Sequence, residues 1–237
     1  MGRGWVNAIR TASAAKKGKV FTKIAKEITV AVKLGGANPD ANARLRSALK
    51  DAQKNSMPKD TVERAIKRGT GGGDEAQLDE IIYEGYGPHG VAVLVEALTD
   101  NKNRTVQDLR AMFVRKGGNL GEAGSVQWMF EKVASIKAKP KKAGLDPEEA
   151  AILAGANEVE ASEDDETGEP VSHFIAAPGD LEAVTKALEA DWEITKSEHS
   201  YRAKTPATLS EDQEKDLSAF VEALHDNDDV KKFHLSA

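Results

Sequence analysis

Residues 81–105 read IIYEGYGPHGVAVLVEALTDNKNRT, and how this stretch is read decides the fold that follows it. Gly85-Tyr86-Gly87-Pro88-His89-Gly90 spells a literal G-x-G-x-x-G after an apolar run, which is the pattern of a dinucleotide-binding turn. That fingerprint needs a helix after the glycines, its N-terminus facing the pyrophosphate. Here Val91-Ala92-Val93-Leu94-Val95 follows instead, a β-branched run that reads as a second strand. Pro88 also removes one N–H from the loop. The glycines are therefore expected to turn a hairpin, with residues 81–86 pairing with 91–98. Thr99-Asp100-Asn101 turns the chain again, and a helix is expected over residues 104–115, closed by Lys116-Gly117-Gly118-Asn119. Residues 125–130 read as a strand.

The chain on the N-terminal side of this stretch has a different character. Of its 237 residues, the first 70 hold 16 Lys and Arg against 5 Asp and Glu, a net of +11. The remaining residues hold 17 against 34, a net of −17, so the overall −6 conceals two opposite parts. Such asymmetry points to a basic module suited to a polyanion, the alternatives being that the two parts attract each other or that the basic part docks on an acidic protein. Its pattern is helical, with clear stops. A first helix is expected over residues 5–17, and a second from residue 19 to Gly35-Gly36. A third is expected to start at Asn38-Pro39 and run to residue 55, and a fourth to run from Ser56-Met57-Pro58 to Gly69.

At about 100° per residue, Lys19, Lys23, Lys26 and Lys33 share one side of the second helix, opposite Phe21, Ile24, Ile28 and Val32. Arg46, Lys50 and Lys54 form a stripe on the third. Arg64, Lys67 and Arg68 cluster at the end of the fourth, and Lys16 and Lys17 precede the second. These twelve residues are the candidate nucleic-acid contacts. Lysines at even helical spacing suit phosphates, which position a protein without reading sequence. No zinc finger, zipper or RNP aromatic pair is present to read bases. Reversing Lys19, Lys23 and Lys26 to Glu is expected to weaken binding without unfolding the protein. Trp5 reads as a packing residue, and Lys102 and Arg104 as ordinary exposed cations. Gly69-Thr70-Gly71-Gly72-Gly73 lacks the G-K-[ST] of a P-loop and reads as a joint.

Beyond residue 131 the pattern restarts. Strands are expected over 133–138, 158–161, 171–176 and 193–202, with helices opening at Asp146-Pro147-Glu148-Glu149 and over 180–189. This is β-α-β-β-α-β, the ferredoxin-like order. Thr205-Pro206 marks a linker, and a helix over 210–225 and a strand over 230–235 remain. They are expected to return to the sheet begun at Ile81. The fold class is thus α+β and multidomain: a helical bundle over 1–73, an α+β domain over 74–130 with 205–237, and a ferredoxin-like domain over 131–204 inserted in it.

Several chemistries find no residues here. The chain has no cysteine, so disulfides, thiolate metal sites and cysteine nucleophiles are excluded. The histidines at 89, 173, 199, 225 and 234 make no H-x3-H or H-E-x-x-H pair, and the acidic residues 158–169 lack the order of a calcium loop. No nucleophile elbow is present. No apolar run approaches the roughly 20 residues that span a bilayer, and no apolar segment near the start reads as a secretory signal. The expectation is a cytoplasmic, monomeric protein that is not an enzyme, with no cofactor, metal, small-molecule substrate or membrane partner.

Ordered along the chain are Lys19-Val20-Phe21-Thr22-Lys23, Leu34-Gly35-Gly36, Asn38-Pro39-Asp40-Ala41-Asn42, Arg44-Leu45-Arg46, Met57-Pro58-Lys59-Asp60 and Arg64-Ala65-Ile66. Further on come Tyr83-Glu84-Gly85-Tyr86-Gly87-Pro88, Asp100-Asn101, Asn103-Arg104-Thr105 and Gly117-Gly118-Asn119-Leu120. In these the chain resembles the YebC/PmpR family over nearly its whole length, with the last third similar mainly in pattern. The resemblance implies a helical N-terminal domain and two α+β domains, one inserted in the other. It also implies a non-enzymatic regulator, either a DNA-binding transcriptional regulator or a ribosome-associated factor that contacts rRNA and aids difficult sequences such as proline runs. The family pattern starts almost at Met1, so no transit peptide is expected before it. Residues 8–15 are mostly neutral where members carry a longer basic segment, which places the expected contacts from Lys16 onward.

Overall fold

The computed structural model describes residues 17–71, 78–164 and 168–237, and the helix expected over 5–17 lies outside them except for Lys17. Among the described residues are seven α-helices and two four-stranded antiparallel sheets. Among the described residues, contacts divide the chain into two compact units, residues 17–71 and 78–126 with 208–235, and residues 127–164 and 168–207 with 236–237.

The first unit opens with three helices, α1 (Lys17–Gly35), α2 (Ala43–Lys54) and α3 (Lys59–Gly69). Ile28, Ala31 and Val32 of α1 pack on Leu45, Ala48 and Ala52 of α2 and on Met57 and Ala65, all buried. Helix α2 starts four residues later than Asn38-Pro39 suggests. The reason is Asn42, whose side chain accepts the Leu45 N–H at 3.0 Å and donates to Ala31 O at 2.7 Å and Gly36 O at 2.8 Å. One buried amide thus caps α2 and ties it to the end of α1. Asn38 serves only a local turn, accepting the Asp40 N–H. Helix α3 begins directly after Pro58, at the end of Ser56-Met57-Pro58 as expected.

The hairpin follows as β1 (Asp79–Tyr86) and β2 (Ala92–Thr99), paired from Asp79↔Thr99 to Tyr86↔Ala92. Its turn closes on itself, Gly87 N–H donating to Val91 O at 2.8 Å, with His89 left-handed at φ 60°. The Gly87 amide is therefore bonded within the turn and not open to a phosphate. Next come α4 (Lys102–Arg115), the two-residue β3 (Asn119–Leu120) and, near the chain end, α7 (Glu211–Asp226) and β8 (Val230–Leu235). The strand order is β3-β1-β2-β8, so the chain end lies beside β2. Val91 to Val95 are fully buried, which explains an apolar run without alternation. Phe113 of α4 meets Phe220 of α7 edge-on, centroids 4.8 Å apart.

Two glycines are fixed by close backbone approach. A Cβ on Gly85 would lie 2.6 Å from Asn119 O, and one on Gly118 only 2.4 Å from Tyr86 O. The glycines of the hairpin and those that end α4 are therefore two halves of one contact, where β3 joins β1. The strand expected over 125–130 does not form. The Glu84 carboxylate, 5% exposed, accepts the Gly124 and Val126 N–H groups at 2.7 and 2.9 Å. Those amides are taken from any ladder, and a 3₁₀ turn, Gln127–Met129, follows.

The second unit runs β4 (Phe130–Pro140), α5 (Pro147–Ala154), β5 (Glu158–Glu163), β6 (Pro170–Ala176), α6 (Leu181–Leu188) and β7 (Trp192–Ala203), with strand order β5-β6-β4-β7. Its core joins Ala134, Ile136 and Ala138 of β4 to Phe174 and Ala176 of β6, Ala151 of α5, Val184 and Leu188 of α6, and Trp192.

Candidate nucleic-acid interface

Of the twelve candidate residues, Lys16 lies outside the described residues, and of Lys17 only its place at the start of α1 is described. The other ten separate into two groups. Lys19, Lys23 and Lys26, the i, i+4, i+7 stripe of α1, turn toward the protein's own backbone. Lys19 Nζ donates to Asp226 O at 2.9 Å and Lys23 Nζ to His225 O at 2.8 Å. Both oxygens belong to the last turn of α7, where carbonyls have no partner within the helix and the dipole favours a cation. Lys26 Nζ reaches Asp228 O at 3.0 Å, Leu98 O at 3.2 Å and Asp229 Oδ1 at 2.5 Å. The stripe opposite the apolar face of α1 is thus a set of caps for α7 and its following loop.

Asp229 is the centre of that junction, its side chain 8% exposed. Thr105 Oγ1 donates to it at 2.8 Å and Arg104 Nη2 at 3.2 Å, alongside Lys26. Burial alone would raise this carboxyl, but the hydrogen bonds from Lys26, Thr105 and Arg104 hold it below the ordinary carboxylate range. A second junction lies nearby in the chain's own ion pairs. Arg44 of α2 pairs with Glu27 of α1 at 2.6 Å and with Glu80 of β1 at 3.1 Å, and Lys231 of β8 pairs with both acids. Burial would lower the Arg44 guanidinium, yet Glu27 and Glu80 raise it above its ordinary value. Lys102 and Arg104 are also paired, with Asp79 and with Asp100 and Asp229, rather than extending a basic surface.

The second group faces outward. Lys33, Lys50, Lys54, Lys67 and Arg68 are exposed. Arg46 is exposed too, its guanidinium held by Pro39 O and Asp40 O at 3.1 Å each. Arg64 is steadied by Asp60 O and Thr61 Oγ1. On α2 the stripe Arg46, Lys50, Lys54 stands away from Leu45, Ala48 and Ala52, and the helix's one acid, Asp51, is half-buried. On α3 the face is mixed: Asp60 and Glu63 line a shallow depression with Arg64 and Lys67. Lys59, exposed at the start of α3, is a further outward cation that charge clustering alone passed over. Its place in Met57-Pro58-Lys59-Asp60 was the available signal.

No group of His, Asp and Glu among the described residues could hold a metal ion, and no helix among them is long and apolar enough to cross a membrane.

Residues 4–72 match the N-terminal domain of the TACO1/YebC protein, and residues 78–237 match the TACO1/YebC second and third domain. The chain belongs to the TACO1/YebC family. A probable transcriptional regulatory protein of Bdellovibrio bacteriovorus is 50% identical over 236 residues, 99% of each chain. One from Geotalea uraniireducens is 45% identical, covering 94% of this chain and 88% of that one. The crystal structure of a conserved hypothetical protein from Aquifex aeolicus superposes with a TM-score of 0.80 at 38% identity, over 94% of this chain and 90% of that chain. TACO1/YebC relatives are thus named as regulatory proteins, and this family member shares their mixed α/β architecture with a helical N-terminal region.

Proposed function

We propose that the chain is a non-enzymatic regulator of gene expression that binds nucleic acid through the outward basic face of its helical module. The type is that of a DNA-binding transcriptional regulator, cytoplasmic and monomeric. The observation that carries this is the α2 stripe Arg46, Lys50 and Lys54, exposed while Lys19, Lys23 and Lys26 of α1 are bound within the fold. Lys33, Arg64, Lys67 and Arg68 extend it. We read the second unit as ferredoxin-like and the acidic remainder of the chain as a support that keeps phosphates on the module alone.

A second reading, a ribosome-associated translation factor, is favoured by one feature. The surface offers phosphate contacts without base readers, and a net of −17 beyond residue 70 suits basic protein neighbours better than naked duplex. The test is binding of labelled duplex DNA and of an rRNA fragment to the full chain and to Lys50→Glu/Lys54→Glu. The double variant should lose about tenfold or more in affinity, with a salt slope lower by about two. Unchanged binding to both would refute the basic-face assignment. Crosslinking in cells then separates the readings, promoter DNA supporting the first and rRNA the second.

A further inference from the structure

Helix α5 presents an outer face that the fold does not use. Its inner side is Ala151, buried, with Ala150 and Ala154 packed on the core of the second unit. Its outer side carries Glu148 and Glu149 in the first turn, and Ile152 and Leu153 in the second, 77% and 79% exposed. The i, i+4 spacing sets Ile152 on the same stripe as Glu148, and Leu153 on that of Glu149. The two acids have a local reason. They sit at the positive end of the helix dipole, beside Asp146, which caps Glu148 N–H at 2.8 Å. The two aliphatics have none. A helix packed on a core by one side puts polar residues on the other. Adjacent exposed aliphatics rimmed by charge are instead the mark of an interaction surface.

The charge around the pair selects the partner. Residues 127–207 hold nine Lys and Arg against seventeen Asp and Glu, a net of −8. On the second helix of this layer, Glu182 adds a third exposed carboxylate, and Lys186 is the only cation of α5 and α6. A nucleic acid or an anionic lipid surface would be repelled here. A protein segment that places Lys or Arg next to Leu, Ile or Val meets both features, its cations on Glu148 and Glu149 and its aliphatics on Ile152 and Leu153. We infer that the outer face of α5 is a docking site for a basic, amphipathic protein segment. This site is separate from the basic face of α2 and stands whether or not that face binds nucleic acid. Charge would govern how fast the segment arrives, and the aliphatic pair how long it stays.

The probe is a fluorescein-labelled, 18-residue helical peptide of Lys and Leu, compared with one in which Ser replaces every Leu. The full-length chain should bind the Lys–Leu peptide about tenfold more tightly than the Lys–Ser peptide, with amide shifts centred on residues 148–154. Ile152→Ser/Leu153→Ser should lower that affinity about tenfold or more. Glu148→Gln/Glu149→Gln should flatten its salt dependence. All four positions are exposed, and circular dichroism checks that the fold is kept. Equal affinity for the two peptides, shifts spread over the acidic surface, or an unaffected Ile152→Ser/Leu153→Ser variant would overturn the assignment. So would concentration-dependent self-association abolished by Ile152→Ser/Leu153→Ser, which would give the face to a second copy of the chain.

Discussion

Asp229 takes hydrogen bonds from Lys26, Arg104 and Thr105 at once, in a site that leaves it 8% exposed. A carboxylate so placed stabilises the folded chain only while it is charged. Because its folded-state pKa lies below the ordinary value, its contribution is complete above about pH 4 and is lost as pH falls through the folded pKa. Asp229→Asn should cost about 3 kcal/mol at pH 7, since it leaves Lys26 half-buried without its counter-charge. It should also flatten the acid limb of stability against pH, measured by urea denaturation between pH 7 and 3. An unchanged acid limb would show that other carboxylates dominate it. The hydroxyl of Thr105 and the position of Arg104 belong to Asn103-Arg104-Thr105, a motif whose part in the sequence was only to open a helix. Nothing in the sequence says that its partner lies 124 residues further on.

At the scale of elements, the decisive contact is α1 against the end of α7. Lysines at i, i+4 and i+7 look the same in sequence whether they await a phosphate or satisfy carbonyls, because an ammonium donates equally to either. Lys19→Glu/Lys23→Glu/Lys26→Glu should therefore lower the melting temperature by several degrees, as caps become repulsions at a helix C-terminus. Lys50→Glu/Lys54→Glu should stay within about 0.5 kcal/mol of the parent stability. Thermal melts of the two variants side by side distinguish lysines that hold the fold from exposed ones. Where β3 joins β1, Gly118→Ala places a Cβ against Tyr86 O and should cost about 2 kcal/mol, read from the denaturation midpoint. Ser210, whose hydroxyl and Gln213 form a capping box at the start of α7, should cost about 1 kcal/mol as Ser210→Ala.

Across the whole molecule, the ion pairs of Arg44 and Lys26 carry a thermodynamic consequence. Helices α1 and α2 share charged contacts with β1, β8 and the loop before β8, all inside one compact unit. Amides of α1 and of β2 should then exchange hydrogen with opening free energies equal to within about 1 kcal/mol, and Asp229→Ala should separate them. Helical exchange much faster than that of β2 in the parent chain would contradict such coupling. The residue sequence alone determined the hairpin at the Gly85–Gly90 turn, because proline fixes φ, glycine admits the positive φ a tight turn uses, and β-branched runs favour extension. It likewise determined most helix ends and the opposite charges of the two parts of the chain. These are properties of neighbours along the chain. Only the tertiary structure decided that Glu84 would take the amides of the strand expected over 125–130, and that Asn42 rather than Asn38 would cap α2. It alone decided, too, that two of the candidate contact lysines would cap α7 and that a third would join the loop after it to β2. Each of those outcomes depends on which buried donor and acceptor meet across a large sequence separation, and a buried polar group binds whatever partner folding brings to it.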